Sequence, residues 1–260
     1  MNLGIKGKVA LVTGAGRGLG EGICQALAAE GVQVVAAART PLDLETLVAG
    51  LGGSKAGHHA FAIDLAASDG PARLIEFVHS LGLAPSILVN NVGGNLGFTD
   101  PLGPVEEWQQ VMRLNVEVAL ELNRAFIPAM RASKWGRICH VSSIAALENQ
   151  GPPAYCAAKA ALNAYVRSLG RFVAADNVIL TSVMPGAVFT PGGYWDDAQR
   201  DRPGHVEKYL KERMAIQRFG RIEEIGGLVS FLCSEHASFC VGSCLLADGG
   251  QGRVFQPVEN

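Results

Sequence analysis

Short, nearly continuous apolar runs punctuate the chain at residues 8–13, 32–38, 61–64, 86–90, 137–142, 178–183 and 244–248. Their length and lack of polar alternation predict strands covered on both faces. Longer stretches over 19–30, 106–133, 155–175 and 222–234 read as helices. Strands alternating with helices predict βαβ units, hence an α/β fold: a single-domain, doubly wound parallel sheet of about seven strands with helices on both faces. No repeat, low-complexity tract or linker divides the chain, so residues 1–260 form one domain. The least regular part, 185–218, holds Pro-Gly, Gly-Gly, Tyr194, Trp195 and a charged cluster. A long irregular segment in a compact domain suggests a cover, and a substrate lid is expected over 187–217.

Composition narrows the partners. The 260 residues are 48% hydrophobic, enough for a sizeable core. The net charge of −2 supplies no field for nucleic acid or anionic lipid, so neither partner is expected. No apolar run reaches membrane-spanning length, and residues 1–6 lead into the first strand without the marks of a signal peptide. Cys24, Cys139, Cys156, Cys233, Cys240 and Cys244 are scattered without a C-x-x-C pair. They read as small buried apolar residues in a reducing, cytoplasmic setting, with no metal site.

Chemistry begins in the turn after the first strand, Thr13-Gly14-Ala15-Gly16-Arg17-Gly18-Leu19-Gly20. Glycines there let backbone approach a phosphate, and the following helix offers free N–H groups and a positive dipole end. The spacing fits T-G-x-x-x-G-x-G better than G-x-G-x-x-G. NAD sites place a carboxylate after the second strand to hold the adenosine ribose, but this chain has Arg39-Thr40 there. With Arg17 in the turn, two guanidiniums suit a 2′-phosphate, so NADP(H) is the expected cofactor and NAD the less favoured one. A single charge-assisted hydrogen bond is worth roughly 1.5–3 kcal/mol, at least about tenfold in preference.

The chain as a whole resembles the short-chain dehydrogenase/reductase family, whose fold is Rossmann-type. Thr13 to Gly20 is similar to its cofactor turn, and Asp64-Leu65 to the pair that meets adenine. Asn90-Asn91-Val92-Gly93 resembles N-N-A-G, and Tyr155-Cys-Ala-Ala-Lys159 the Y-x-x-x-K signature. Pro185-Gly186-Ala-Val188-Phe-Thr190 resembles the P-G-x-x-x-T element at the nicotinamide end, and Asp248-Gly249-Gly250 the D-G-G after the last strand. Each motif alone is weak; six in order are specific. The resemblance implies a cofactor site of Gly14, Arg17, Gly18, Leu19, Gly20, Arg39, Thr40, Asp64, Leu65, Asn91, Gly93, Tyr155, Lys159, Pro185, Gly186, Val188 and Thr190. It also implies that Lys159 holds the nicotinamide ribose, that Asn115 in Leu114-Asn115-Val116 joins a proton relay, and that the protein is a homotetramer built on the two long helices.

Tyr155 and Lys159, four residues apart, share one helix face. An ammonium beside the phenol is expected to lower its pKa from about 10, so that Tyr155 can exchange a proton with a carbonyl or alcohol oxygen. A serine after the fifth strand would hydrogen-bond that oxygen. The thirteen-residue interval common in the family selects Ser142, whereas the string Ser143-Ile-Ala-Ala resembles S-x-A-G and selects Ser143, the preferred residue. His140 reads as a packed core residue. The expected reaction is hydride transfer between NADP(H) and a small carbonyl or alcohol. Alternatives are an NAD-linked alcohol or sugar dehydrogenase, a non-catalytic nucleotide sensor, and a lyase or epimerase with retained cofactor. The chain also resembles ketoacyl-carrier-protein reductases, but Ser133 and Asp176 stand where basic residues would meet an acidic carrier, which favours a free small substrate.

Overall fold

The computed structural model describes residues 1–148 and 150–252. Strands β1 (Val9–Thr13), β2 (Gln33–Ala38), β3 (His59–Ala62), β4 (Ile87–Asn90), β5 (Gly136–Val141), β6 (Val178–Pro185) and β7 (Cys244–Ala247) form one sheet. All neighbours pair in parallel, in the order β3-β2-β1-β4-β5-β6-β7. Parallel pairs need crossovers, and helices supply them on both faces. Against one face pack α1 (Gly18–Ala29), α2 (Pro41–Gly50) and α10 (Ile222–Leu232), burying Ile23, Leu27, Leu44, Val229 and Leu232 on Ala10, Val12 and Val34. Against the other pack α3 (Gly70–Ser80), α5 (Val118–Ala132) and α7 (Pro153–Val173), burying Leu74, Leu122, Phe126 and Val166 on Leu11, Val35, Leu88 and Ile138.

The chain runs outward from β1 to β3, then returns to β4 beside β1. This reversal opens a crevice at the carboxyl ends of β1 and β4, where such sheets bind ligands. The remaining helices are α4 (Val105–Met112), α6 (Ala145–Glu148), α8 (Tyr194–Asp201) and α9 (Pro203–Arg213).

The structure departs from the sequence reading in four places. Pairing of His59 with Val35 sets the start of β3, which ends before Ile63 and leaves Asp64 outside the strand. Helices α2 and α3 lie outside the predicted elements: α2 buries only Leu44 and Leu47 and shows little apolar pattern, whereas α3 does carry an apolar face of Leu74, Ile75, Phe77 and Val78. The expected helix over 106–133 is broken by a π-helical turn, Arg113–Glu117, between α4 and α5. The segment read as irregular contains α8 and α9; each buries one residue, Ala198 or Val206, so neither carries an apolar stripe.

Candidate active site

The crevice is a cleft of about 1310 Å³. Gly14, Arg17, Arg39, Thr40, Asp64, Leu65, Asn91 and Gly93 line it, together with Gly16 and Asp43. A second cleft of about 410 Å³ continues past the turn and is lined by Arg17, Gly18, Leu19, Gly186, Val188, Thr190, Tyr194 and Trp195. Of the expected cofactor residues, Gly20, Tyr155, Lys159 and Pro185 line neither. Gly20 is buried, and a Cβ there would meet Gly14 O at 2.0 Å, so its glycine serves the turn's contact with α1. Pro185 ends β6, where its carbonyl accepts the Ile144 N–H.

The turn is held from behind. Thr13 Oγ1 accepts the backbone N–H groups of Asn91 and Val92 at 3.0 and 3.1 Å. Asn91 Nδ2 donates to the carbonyls of Thr13 and Gly14, each at 3.0 Å. Gly14 lies at φ +62°, a conformation that favours glycine. Arg17 and Arg39 are both exposed at the cleft. Asp43, the third residue of α2, brings a carboxylate to the same rim, its Cβ 3.2 Å from where a Cβ of Gly16 would stand. The sequence reading missed Asp43 because it missed α2, although Thr40-Pro41 is a usable helix-start signal.

Next to Gly93, which lines the crevice, Lys159 is 2% exposed, and its Nζ donates to Val141 O at 2.9 Å. Nζ also lies 5.7 Å from the centroid of the Tyr155 ring. Burial holds the ammonium down to about 8. Tyr155 is hydrogen-bonded to the Ser143 hydroxyl, while burial pushes its phenol up and that hydrogen bond pulls it back. The sequence predicts that the lysine lowers the phenol; in the structure burial raises it, and the group that opposes burial is Ser143 rather than Lys159. Ser143 Oγ also accepts the Ala145 N–H, and Ser142, buried, donates its hydroxyl to Lys159 O at 3.3 Å. The two serines therefore face different partners.

Asn115 sits in the π-helical turn, 2% exposed. The turn breaks the regular ladder, and Asn115 Nδ2 takes up Val111 O and Gly94 O, both at 2.8 Å, while its Oδ1 accepts the Gly94 N–H at 3.0 Å. Gly93 is wedged between this amide and the lysine: a Cβ would stand 2.6 Å from Asn115 Oδ1 and 2.8 Å from Lys159 Nζ. The fold thus brings Asn115 and Lys159 to Gly93 on the wall of the cleft that Arg17 and Arg39 also line, with Tyr155 next to Lys159 and Ser143 next to Tyr155. Beneath them His140 is fully buried; its Nε2 lies 3.2 and 3.0 Å from the side-chain amides of Asn90 and Asn123, its Nδ1 3.3 Å from Thr181 O.

Among the described residues, no His, Cys, Asp and Glu cluster could hold a metal ion, and no helix is long and apolar enough to cross a membrane.

Comparison with known proteins shows the family and the fold. A model of the short chain dehydrogenase family matches residues 8–199. The chain is 30% identical over 249 residues to the 3-oxoacyl-(acyl-carrier-protein) reductase of Pseudomonas aeruginosa, covering 95% of this chain and 98% of that protein. It is 31% identical over 252 residues to dehydrogenase/reductase SDR family member 4 of Sus scrofa, covering 95% and 88%. Among solved structures, L-sorbose reductase from Gluconobacter frateurii, complexed with NADPH and L-sorbose, superposes with a TM-score of 0.89 at 33% identity, covering 99% of this chain and 100% of that one. A 3-oxoacyl (acyl-carrier-protein) reductase from Agrobacterium tumefaciens with NADP bound gives 0.87 at 30% identity, covering 95% of both.

Proposed function

The chain belongs to the short chain dehydrogenase family, and from that premise we propose that it reduces a small free carbonyl compound with NADPH, Tyr155 acting as the proton donor. The observation that carries this reading is the buried Lys159 ammonium, fixed by Val141 O beside Gly93 and next to the Tyr155 ring. NADPH bound along the cleft supplies the hydride. Arg17 and Arg39 take the 2′-phosphate, the N-terminus of α1 the pyrophosphate, and Lys159 the nicotinamide ribose. The fit is supported by Gly14, Gly16, Gly93 and Gly94, which line the cleft with bare backbone that a phosphate or ribose can approach. Ser143 holds the substrate oxygen, the Tyr155 phenol delivers a proton to it, and Asn115 steadies the loop at Gly93. Burial keeps the phenol protonated, the form that a reduction requires. Helices α8 and α9, within residues 187–217, form the cover on the substrate side.

The solved relatives bind NADPH or NADP, which supports the cofactor. A free substrate is favoured over a carrier-bound one because Asp176 engages both Arg131 and Lys134, each at 2.5 Å, and so halves the positive charge that they would offer an acidic carrier. The exposed apolar residues Leu120 on α5 and Phe172 on α7 support a homotetramer built on these helices, which light scattering would test. Asp43 is the one observation favouring an NAD-linked dehydrogenase instead, since a carboxylate at that rim could hold ribose hydroxyls.

The deciding experiment is fluorescence titration with NADPH and NADH on the wild type and Arg39→Ala. NADPH is expected to bind at least about tenfold tighter, with the preference collapsing in the variant. Equal or tighter NADH binding by the wild type would turn the assignment over to the NAD-linked reading.

A further inference from the structure

The π-helical turn Arg113–Glu117 sends side chains to two different loops of the cleft. Asn115 holds Gly94, in the loop after β4, through both its N–H and its carbonyl. Two residues earlier, Arg113 holds the turn after β3. Its Nη2 donates to Ala67 O at 3.2 Å and its Nε to Ala66 O at 3.5 Å. Guanidinium nitrogens donate and never accept, and Nε and Nη2 form one edge of a rigid plane. That edge therefore spans two successive carbonyls. The remaining nitrogen, Nη1, meets the carboxylates of Glu121 and Glu117, the latter at 3.6 Å, which aims the plane from its other side. The Arg113 side chain is only 19% exposed. Ala66, Ala67, Arg113 and Glu117 all line the large cleft.

The turn that Arg113 grips is a neighbour of Arg39. Strands β2 and β3 pair, and beyond the pairing Ile63 N–H donates to Ala38 O at 2.8 Å, so the chain leaving β3 runs beside the end of β2. Asp64 and Leu65 begin that turn and line the cleft together with Arg39. A 2′-phosphate held by Arg39 leaves the base, on the adjacent carbon of the same ribose, beside residues 64–67. The turn is braced from within and from behind. The Asp64 carboxylate accepts the Ala66 N–H at 3.0 Å, and a Cβ on Gly70, at the start of α3, would stand 2.3 Å from Asp64 O. Arg113 braces it from the opposite wall.

We infer that Arg113 is a positioning residue for the cofactor. By fixing Ala66 and Ala67 it sets the wall against which the adenine lies, as Asn115 sets the loop at Gly93 and Gly94. This inference rests on the proposed placement of NADPH along the cleft.

The test separates the two halves of the cofactor. Adenosine 2′,5′-bisphosphate, the adenine half with its 2′-phosphate, and NADPH are titrated calorimetrically into the wild type, Arg113→Lys, Arg113→Met and the triple variant Arg113→Met, Glu117→Gln, Glu121→Gln. The emission of bound NADPH at saturation reports the nicotinamide site, and melting temperature is recorded alongside. Arg113→Met is expected to weaken both ligands by about tenfold, the scale of one hydrogen bond from a charged group, with the emission of bound NADPH unchanged. Arg113→Lys should weaken both by at least about threefold, because an ammonium keeps the charge but has no planar edge to span two carbonyls. The triple variant, which also neutralises the carboxylates left unpaired, should stay as weak as Arg113→Met. Full affinity in Arg113→Met overturns the inference, since the turn then stands without the arginine. Affinity restored in the triple variant overturns it too, since the loss was then charge repulsion. A lower melting temperature with an altered NADPH emission would mark a general loss of structure and also overturns it. Failure of the wild type to bind NADPH would instead overturn the cofactor reading on which the inference rests.

Discussion

Ser142 and Ser143 are adjacent, yet their hydroxyls do different work. Ser142 Oγ spends its proton on Lys159 O inside the protein, whereas Ser143 meets the Tyr155 phenol. If Ser143 holds the substrate oxygen, Ser143→Ala should lower kcat/KM by about 10²-fold or more, the scale of losing one positioned donor in an active site. Ser142→Ala should stay within about threefold of wild type. Tyr155→Phe should lose about 10²–10⁴-fold in kcat, the usual contribution of a general acid, while NADPH affinity changes by less than about twofold. Steady-state kinetics with a fluorescence titration would check all three, and a larger loss at Ser142 than at Ser143 would reverse the assignment. The doublet shows what sequence could and could not supply. Both serines were legible as candidates because a hydroxyl after a central strand is chemically apt. The choice between them depended on which way each side chain turns, and that is set by the contacts of β5 with α7.

At the scale of elements, the strands were legible because a sheet buried on both faces leaves no polar alternation to confuse the signal. Elements with few buried residues were not: α2, α8 and α9 stand largely in solvent, and with α2 went Asp43. The π-helical turn was half visible. An asparagine inside a long helix was conspicuous, but only tertiary contact showed that it repairs a break by binding Val111 O and Gly94 O. The polar layer beneath the site carries a pH dependence. His140 pairs with Asn90 across β4 and β5, and the two amides that face its Nε2 can only donate from their nitrogens, so the ring must be neutral with Nδ1 donating to Thr181 O. Burial first, then the charge of Lys159, bring its pKa down to about 4, against a backbone bond to Thr181 that raises it. Between the unfolded value near 6.5 and this folded one, the unfolded chain binds the extra proton. Stability is therefore full above about pH 6.5 and falls as the pH drops toward 4, by on the order of 3 kcal/mol. His58, whose Nδ1 accepts the Val34 N–H, is lowered by burial too and adds to the same slope. Urea unfolding at pH 7 and pH 4.5 should show the drop, and His140→Gln should remove part of it. A variant with an undiminished slope would place the effect elsewhere.

For the whole molecule, the cofactor is the part that ties the layers together. The crevice draws its walls from the turns after β1, β3 and β4, the end of β2 and the start of α2 on one side, and from α4 with the π-helical turn on the other. A ligand lying along it touches elements packed on both faces of the sheet, and it can do so only in the folded chain. Binding must then appear as stability. At a concentration one hundred times its dissociation constant, NADPH adds about 2.7 kcal/mol. For a domain of this size, each kcal/mol raises Tm by about 2–4 °C, so a shift of about 5–10 °C is expected. NADH at the same concentration, if about tenfold weaker, adds about 1.4 kcal/mol and shifts Tm by about half as much. Arg39→Ala should bring the NADPH shift down to the NADH value while leaving the latter unchanged, because the adenine and nicotinamide ends are untouched. Differential scanning fluorimetry reads all four values without any substrate. An NADPH shift no larger than that of NADH in the wild type would mean that Arg17 and Arg39 remain solvated and that Asp43 governs the ribose end of the crevice.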